Sequence, residues 1–464
     1  MKLRIALALA ALCVALSLAP ASALGHVVTR GLNDNTMLNP DPAVRAAFAH
    51  EAYDQLHARV LRLGVAWYRL EPSSGQIDQA YLTLLTTAVT EAKAKGLRVI
   101  ISLSGTPRWA SEVRFWTSPP PSYAAGYQPF YPPRTDALNA LTATTETLAT
   151  ALKGQVEGYE CWNEPNLYLS LYPQTTSTDD GFAAHRYVAM LQAFAAGVRA
   201  GDPDALVIAG ATAPIGSNDI GRTSPLRFAR LLAAAGAGAF FDVYSHHPYT
   251  PGGSVDLTPE AKPTDPTTTV SLGNIGSLLK VFPDKRFYLD EYAYNTAYTK
   301  MWGGAQVTQI DQARYLRRAY AYAARFPQIK MLLWHLIRDG SPTGSQSDPR
   351  GTYCGLRTVK GSAKRAWYAF ARGNHLTVNP PTRVRRGQAA VLKGSLSNAS
   401  VGGVRGKPLV VMAKRPRSSW KTIAIVRSGD GGAYRYRFWP ARTAAYKVVW
   451  RGVVSSPICT IRVY

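Results

Sequence analysis

Short apolar runs and amphipathic segments take turns along most of the chain. Between residues 24 and 379, runs rich in Val, Ile, Leu and aromatic residues are typical of buried parallel strands. The strand candidates are residues 27–32, 65–70, 99–103, 156–162, 206–211, 241–245, 287–290 and 330–334. The segments between them have the three-to-four-residue apolar spacing of helices, at residues 79–95, 137–152, 182–200, 227–235, 308–325 and 363–372.

Strands that alternate with helices predict an α/β fold with a parallel sheet. Eight strand candidates over residues 24–379 favour a (β/α)8 TIM barrel with one or two enlarged loops. The alternative is an open doubly wound sheet, but no Gly-rich phosphate loop follows the first strand candidate.

The composition changes at Asn379-Pro380-Pro381. After this point, β-branched and alternating runs are separated by Gly, Ser, Asn and Pro turns at short intervals, which predicts a small all-β sandwich over residues 380–464. The pattern resembles the immunoglobulin-like accessory domains that are appended to secreted bacterial proteins.

The first 23 residues have a cationic start, an apolar run and the small-x-small exit Ala21-Ser22-Ala23, which predicts a secretory signal peptide. The alternative is a membrane anchor, but the run is short for a span of about 20 residues. We therefore expect an extracellular protein without a membrane span. In an oxidising compartment Cys354 and Cys459 can pair, whereas Cys161 reads as a small buried hydrophobe.

The net charge of +24 first suggests a nucleic-acid partner. The excess is uneven, however, because residues 380–464 contain 17 Lys and Arg side chains but only one acid, Asp430. In a secreted protein, such a domain favours an anionic cell-envelope glycan over nucleic acid as a docking partner.

Carboxylates follow two strand candidates at the positions where a barrel places its catalytic groups. The fourth strand candidate ends in Trp162-Asn163-Glu164-Pro165, and the seventh leads into Asp290-Glu291-Tyr292. Two carboxylates that face each other across a barrel mouth are what glycosidic hydrolysis requires.

With these residues the chain resembles the retaining glycoside hydrolases of clan A, the (β/α)8 superfamily that includes families 5 and 39. The resemblance implies that Glu164 is the general acid/base, which must be protonated, and that Glu291 is the nucleophile. It also implies that Asn163 binds the sugar 2-hydroxyl.

Further side chains are expected to support this pair. Arg69, after the second strand candidate, and Tyr249, after the sixth, can donate hydrogen bonds to Glu291. His247 is expected to hydrogen-bond in the sugar site. Trp334, at the end of the eighth strand candidate, matches the clan pattern as a stacking floor for the sugar.

Other residues of the same types are weaker candidates for the site. Asp290 and Glu160 are rival carboxylates. Neighbours on a regular strand face opposite sides, so Asp290 and Glu291 are not expected to face the mouth together, and the resemblance favours Glu291. Glu160 is expected one layer deeper. His246 and His247 lack the further ligands of a zinc site, and no Gly-x-Ser-x-Gly elbow is present. We therefore expect no metal or organic cofactor.

The longest irregular segment, residues 105–134, contains Trp109 and six other large aromatic residues. It is expected to form a subsite wall or lid, or otherwise a minicore beneath a surface loop. Trp302 is a second candidate subsite aromatic.

The sequence thus predicts a secreted retaining hydrolase of β-glycosidic bonds that acts on a polysaccharide or oligosaccharide. The alternative is a non-catalytic carbohydrate-binding or cell-surface-binding protein on the same barrel.

Overall fold

The structure is a computed structural model that describes residues 27–120, 123–299, 306–345, 348, 350–372, 374–398, 402–416, 418–450, 454–456 and 458–464. The predicted signal peptide therefore lies outside the described residues. The chain divides into two compact units at residues 374 and 375, close to the predicted boundary at 379 and 380.

The first unit is a closed barrel of eight parallel strands within the described residues, which confirms the predicted fold. Each strand pairs with its sequence neighbours, and the first pairs with the last. The strands are β1 (Thr29–Asn33), β2 (Val60–Ala66), β3 (Arg98–Ser104), β4 (Gly158–Cys161), β5 (Leu206–Thr212), β6 (Val243–His246), β7 (Arg286–Tyr292) and β8 (Ile329–His335).

The helices of this unit cover the outside of the barrel strands, and their buried faces join the main apolar core. The N-caps Asp78 of α3 and Thr308 of α8 accept hydrogen bonds from the first turn of their helices. The helices are α1 (Pro42–His50), α2 (Trp67–Leu70), α3 (Gln79–Lys95), α4 (Leu138–Ala151), α5 (Phe182–Gly201), α6 (Pro225–Ala234), α7 (Gly276–Leu279), α8 (Gln309–Ala323) and α9 (Arg365–Arg372).

The predicted second strand was misplaced along the sequence. Residues 65–70 were expected to form it, but β2 ends at Ala66 and the next four residues form the helical turn α2. The apolar residues Trp67 and Leu70 are buried by this turn, three residues apart on one face, which is the spacing of a helix rather than of a strand.

The barrel interior is built in layers, because residues two apart on a strand face the same side. Near the amino ends of the strands the interior is apolar, and it includes Val60, Ile100, Val243 and Tyr288. Two positions further along these same strands stand the buried polar residues Arg62, Ser102, Ser245 and Asp290. The polar layer therefore lies directly beneath the carboxyl ends of the strands.

The second unit contains two sheets in the part of the chain that the structure describes. One has the order β10-β18-β16-β13-β14, with β17 on β16, and the other has β12-β11-β15, with β9 on β11. Residues from both sheets share one apolar core that includes Leu392, Leu409 and Tyr446. The strands are β9 (Asn374–Leu376), β10 (Arg383–Val384), β11 (Ala390–Asn398), β12 (Gly402–Gly403), β13 (Pro408–Lys414), β14 (Lys421–Arg427), β15 (Ala433–Phe438), β16 (Ala444–Trp450), β17 (Val454–Ser455) and β18 (Cys459–Val463).

The disulfide that was considered between Cys354 and Cys459 is not formed, since both thiols are free. Cys354 is buried in the core of the barrel unit, and Cys459 lies in β18 of the β unit. Cys161 is also free and is buried, as expected. Among the described residues, no helix has the length and apolarity needed to cross a membrane.

Candidate active site

Glu164 stands on a bent segment just beyond β4. Trp162 and Glu164 both have left-handed backbone conformations, with φ values of 70° and 47°. The Glu164 amide donates a hydrogen bond to the carbonyl of Ala211 at 2.9 Å, which ties the bend to β5. Strained backbone of this kind is concentrated at functional sites. Here the bend turns the carboxylate of Glu164 toward the barrel mouth, and the Glu164 side chain is 22% exposed.

Glu291 is buried and is held by several donors. Asn33 Nδ2 donates to one carboxylate oxygen at 2.6 Å, and the Tyr249 hydroxyl donates to the other at 2.8 Å. The Arg62 guanidinium lies 3.7 Å away. Burial would raise the pKa of Glu291, but the charges of His247 and Arg62 and the Tyr249 hydrogen bond keep this pKa below its usual value. The carboxylate is therefore ionised and fixed in orientation.

Tyr249 keeps its proton for this contact. Burial, and then the negative charge of Glu291, raise the pKa of its hydroxyl well above the usual range. The hydroxyl remains a donor to Glu291, in the position that the sequence predicted for it.

His247 connects three carboxylates. Its Nδ1 lies 2.9 Å from Oε1 of Glu164 and 3.9 Å from Oε2 of Glu291, and its Nε2 lies 3.4 Å from Oδ1 of Asp290. Burial alone would lower the pKa of His247, but the negative charge of Glu291 and the nearby carboxylates of Asp290 and Glu164 raise it to about 10. This raised pKa favours the charged form of the ring, with Nδ1 beside Glu164 and Nε2 facing Asp290.

Asp290 and Glu291 both reach this cluster, contrary to the strict alternation expected of a regular strand. The pairing of β7 with β8 slips between Leu289 and Tyr292, where three steps along β7 match two along β8, from Leu332 to Trp334. The extra residue is a β-bulge, which re-aims side chains. It lets the catalytic candidate and its neighbour face the same interior.

Glu160 lies in the polar layer below, as expected, and is fully buried. Arg62 donates to one of its oxygens through Nε and Nη2, and the Ser245 hydroxyl donates to the other at 2.8 Å. Burial, opposed by Arg62 and reinforced by Asp290, raises the pKa of Glu160 to about 8. Burial would raise the pKa of Asp290 as well, but a hydrogen-bonding contribution from Glu160 and the charges of Arg62 and His247 lower it below its usual value.

A cavity of about 510 Å³ opens beside this cluster. It is bordered by the carboxyl ends of β1, β2, β3 and β8 and by the loop that begins at Gly105. Buried polar groups and partly exposed apolar side chains both line it. Its lining includes Asn33, Arg62, Tyr68, Phe130, Asn163, Leu169, Glu291 and His335.

Two of the predicted supporting residues do not reach the site. Arg69 lies on the helical turn α2, is exposed and stacks over the ring of Tyr81 at 4.4 Å, so the prediction that it holds Glu291 is wrong. Trp334 is fully buried, and its Nε1 donates to the carbonyl of Cys354 at 3.0 Å. It is therefore a core residue rather than an exposed stacking floor, and the next residue, His335, lines the cavity instead.

The aromatic loop at residues 105–134 divides its side chains between two roles. Trp109 packs edge-on against Trp67, with 6.0 Å between ring centroids, and donates to the carbonyl of Glu71, away from the cavity. Phe130 and Tyr131 form a minicore with Tyr172, and Phe130 also lines the cavity. The minicore interpretation is therefore confirmed for these residues, and the role of the loop as a subsite wall stays a prediction. Trp302 lies outside the described residues.

The sequence interpretation missed Asn33, Arg62 and His335. Asn33 directly follows the first strand candidate, so the rule that found Glu164 would have found it. Arg62 carried a weaker signal, since a cation inside an apolar run becomes informative only once the strand register is known. Arg62 also binds Oδ1 of Asn163 at 2.9 Å, which fixes that predicted sugar-binding amide.

Among the described residues, Glu164, His247 and Glu291 are close enough to hold a cation, with one donor atom of each within 4.8 Å of the others. These three side chains already take part in hydrogen bonds. His247 and Glu164 are bonded to each other, and Glu291 accepts from Asn33 and Tyr249. That the site needs no metal or cofactor stays a prediction.

The chain is similar over part of its length to a known glycosidase. Endoglycoceramidase I of Rhodococcus hoagii (strain 103S) is 31% identical over 169 residues, a match that covers 31% of this chain and 34% of that protein. The matched segment is thus about a third of the relative's length.

Solved structures share the fold. A family 39 glycoside hydrolase from Bacteroides cellulosilyticus WH2 matches with a TM-score of 0.56 and 16% identity, over 92% of this chain and 81% of that one. A family 5, subfamily 18 enzyme from Streptomyces cattleya in complex with GlcNAc matches with a TM-score of 0.55 and 16% identity, over 78% of this chain and 84% of that one.

The family model described as cellulase, glycosyl hydrolase family 5, matches residues 29–312. This range contains β1 to β7, the strand-end carboxylates and their donors. With more than half of its length matched, the chain belongs to glycosyl hydrolase family 5.

Proposed function

We propose that this protein hydrolyses β-glycosidic bonds of a polysaccharide or oligosaccharide with retention of anomeric configuration. Glu291 is the nucleophile and Glu164 the general acid/base. The observation that carries the proposal is the short distance between them, because oxygens of the two carboxylates lie within 4.8 Å of each other.

This distance bears on the stereochemistry. Retaining glycosidases place their two carboxyl groups about 5–5.5 Å apart, whereas inverting enzymes need about 6.5–9.5 Å to admit a water molecule between base and sugar. The separation between Glu164 and Glu291 supports direct attack by a carboxylate on the anomeric carbon.

In the first step, Glu291 forms a bond to the anomeric carbon while the glycosidic C–O bond breaks. Glu164 transfers its proton to the departing oxygen, which leaves as an alcohol. Asn33 and Tyr249 orient the nucleophile, since each holds one of its oxygens.

In the second step, Glu164 takes a proton from water, and the resulting hydroxide attacks the anomeric carbon of the glycosyl-enzyme. The ester bond to Glu291 breaks, the sugar leaves with its original configuration, and Glu164 is protonated again. His247 donates to Glu164 from 2.9 Å and can therefore stabilise its anionic form between the two steps.

A second substrate class is a glycoside with an apolar aglycone, such as a glycolipid. It is favoured by the lining of the cavity, in which Tyr68 is 42% exposed and Leu169 is 50% exposed. The partial match to a protein named endoglycoceramidase I is in line with this class. We further propose that the protein is secreted, on the basis of its N-terminal sequence.

The test is a panel of aryl β-glycosides, β-linked polysaccharides and glycosphingolipids assayed with the parent, Glu164→Gln and Glu291→Gln. Glu146→Gln, on the exposed side of α4, is the matched control. We expect turnover by the parent and the control on at least one substrate and loss of about 10³-fold or more in the two site variants. Equal turnover by all four proteins would contradict the assignment.

A further inference from the structure

The outer face of the β11–β15 sheet carries a row of cations. Along β15, Arg435 and Arg437 are exposed, whereas the residues between and beside them face the apolar core. Since alternate residues of a strand share a face, the two side chains point outward together, from Cα atoms about 6.6 Å apart along the strand. Trp439 directly follows the strand and is 62% exposed.

The neighbouring strand adds a third cation at the same place. Lys393 of β11 is directly opposite Arg435 in the antiparallel register, and Val391 is opposite Arg437. Like charges in directly opposed positions destabilise a sheet, because their Cβ atoms are only about 4.5–5.5 Å apart. The fold therefore maintains a local repulsion on this face.

The β unit does not neutralise this face itself. Asp430 is the single acidic side chain among residues 380–464. It pairs with Arg405 at 2.9 Å, the one ion pair found among the described residues of this unit. An external anion would relieve the repulsion between Lys393 and Arg435.

An aromatic side chain stands beside the cations. The Arg437 guanidinium lies 5.6 Å from the ring centre of Trp439, which keeps the indole next to the charged row. Exposed indoles stack on the C–H faces of pyranose rings. A polysaccharide with acidic groups could therefore place a carboxylate against the cations and the flat face of a sugar ring against the indole.

We propose that the face formed by Lys393, Arg435, Arg437 and Trp439 binds an anionic polysaccharide. Nucleic acid has the same charge and also stacks on aromatic rings. The glycan is favoured because the other unit of this chain is a glycoside hydrolase, and tethering to a glycan raises the local concentration of such a substrate. The site is independent of the catalytic residues.

The experiment measures binding of the full-length chain to polygalacturonate, dextran and a DNA duplex at about 50 mM and 500 mM NaCl. We compare the parent with Lys393→Gln/Arg435→Gln/Arg437→Gln and with a control of equal charge, Arg385→Gln/Arg386→Gln/Lys421→Gln, whose exposed side chains belong to the other sheet or its flanks. Trp439→Ala is tested separately.

We expect the parent to bind polygalacturonate more tightly than DNA and dextran at low salt. The triple variant of the face should lose roughly tenfold affinity or more, since three charged contacts are removed, while the control changes less than twofold. Trp439→Ala should weaken binding at both salt concentrations. An unchanged or higher thermal midpoint for the face variant would show that it is folded, since its like-charge repulsion is gone.

Equal losses in the face variant and the control would overturn the assignment of the face, because net charge alone would then explain binding. Absence of polygalacturonate binding by the parent, or tighter binding to DNA through the same residues, would overturn the ligand class. Turnover of a small aryl glycoside is the separate readout for the barrel, and it should be the same in all variants.

Discussion

The Nδ1 atom of His247 lies 2.9 Å from Oε1 of Glu164, the candidate acid/base. The other side of the ring faces Asp290, a fully buried carboxylate in the layer below the site. A buried negative charge is thereby linked through one imidazole to the group that must exchange a proton during turnover. The protonation of this ring is central to how the site works.

Replacing Asp290 with Asn should change the pH dependence of activity. His247 is faced by Glu164, Glu291 and Asp290, and removal of one carboxylate lowers the pKa of the ring from its value of about 10. We expect the alkaline limb of the kcat/KM profile to move to lower pH by about one unit or more. Asp136→Asn, at an exposed position, is the control, and identical profiles for the two variants would rule out this role of Asp290.

The raised pKa of His247 should also make the protein less stable at alkaline pH. The folded-state pKa of His247 is raised to about 10, above an unfolded value of about 6.5, so the folded state binds the proton more tightly. Its contribution to the free energy of unfolding is fully present below about pH 6.5 and is lost as the pH rises toward 10.

Urea unfolding of the parent and of His247→Gln at pH 6, 8 and 9.5 measures this loss. The parent should lose more stability over this range than the variant does. Parallel losses in the two proteins would mean that His247 is not the titrating group.

Arg62 and Arg69 should behave in opposite ways. Arg62 binds Glu160 and Asn163 and also faces Glu291. A lysine cannot make these contacts at the same time, because it lacks the planar guanidinium group with its several donors. We expect Arg62→Lys to lower kcat/KM by about 100-fold or more, and Arg69→Gln to change it by less than about twofold. Steady-state kinetics of both variants on one substrate decides, and a larger loss in Arg69→Gln would contradict the geometry.

The contrast between these two arginines also shows what the sequence could reveal. Periodicity alone identified the order of strands and helices, because a buried parallel strand is short, apolar and bounded by turns. It did not locate β2, since Trp67 and Leu70 extend an apolar pattern that is helical. Because β2 begins and ends earlier than predicted, the arginine of the barrel interior is Arg62, whereas Arg69 lies on an exposed turn.

The catalytic candidates were accessible from the sequence for a different reason. Glu164 lies just beyond the end of β4 and Glu291 lies at the carboxyl end of β7, so their places in the order of strands could be recognised from the sequence. The charged layer formed by Arg62, Glu160 and Asp290 depends on the register across the barrel and on the bulge in β7. Those features arise from long-range pairing, which no local pattern encodes.

Trp334 should matter for stability more than for substrate binding. It is fully buried, and its indole nitrogen donates to the Cys354 carbonyl. We expect Trp334→Phe to lower the free energy of unfolding by about 1–3 kcal/mol, because the carbonyl loses its donor and the smaller ring leaves space. KM should change by less than about twofold. A large increase in KM without loss of stability, in urea unfolding and kinetics together, would restore its predicted role in the sugar site.

The most direct test of the double-displacement mechanism is the configuration of the first product. Proton NMR of the reaction, recorded before the released sugar mutarotates, distinguishes the α-anomer from the β-anomer. With Glu164 and Glu291 as close as the structure places them, a β-glycoside should yield the β-anomer first. Initial release of the α-anomer would contradict the assignment of Glu291 as nucleophile.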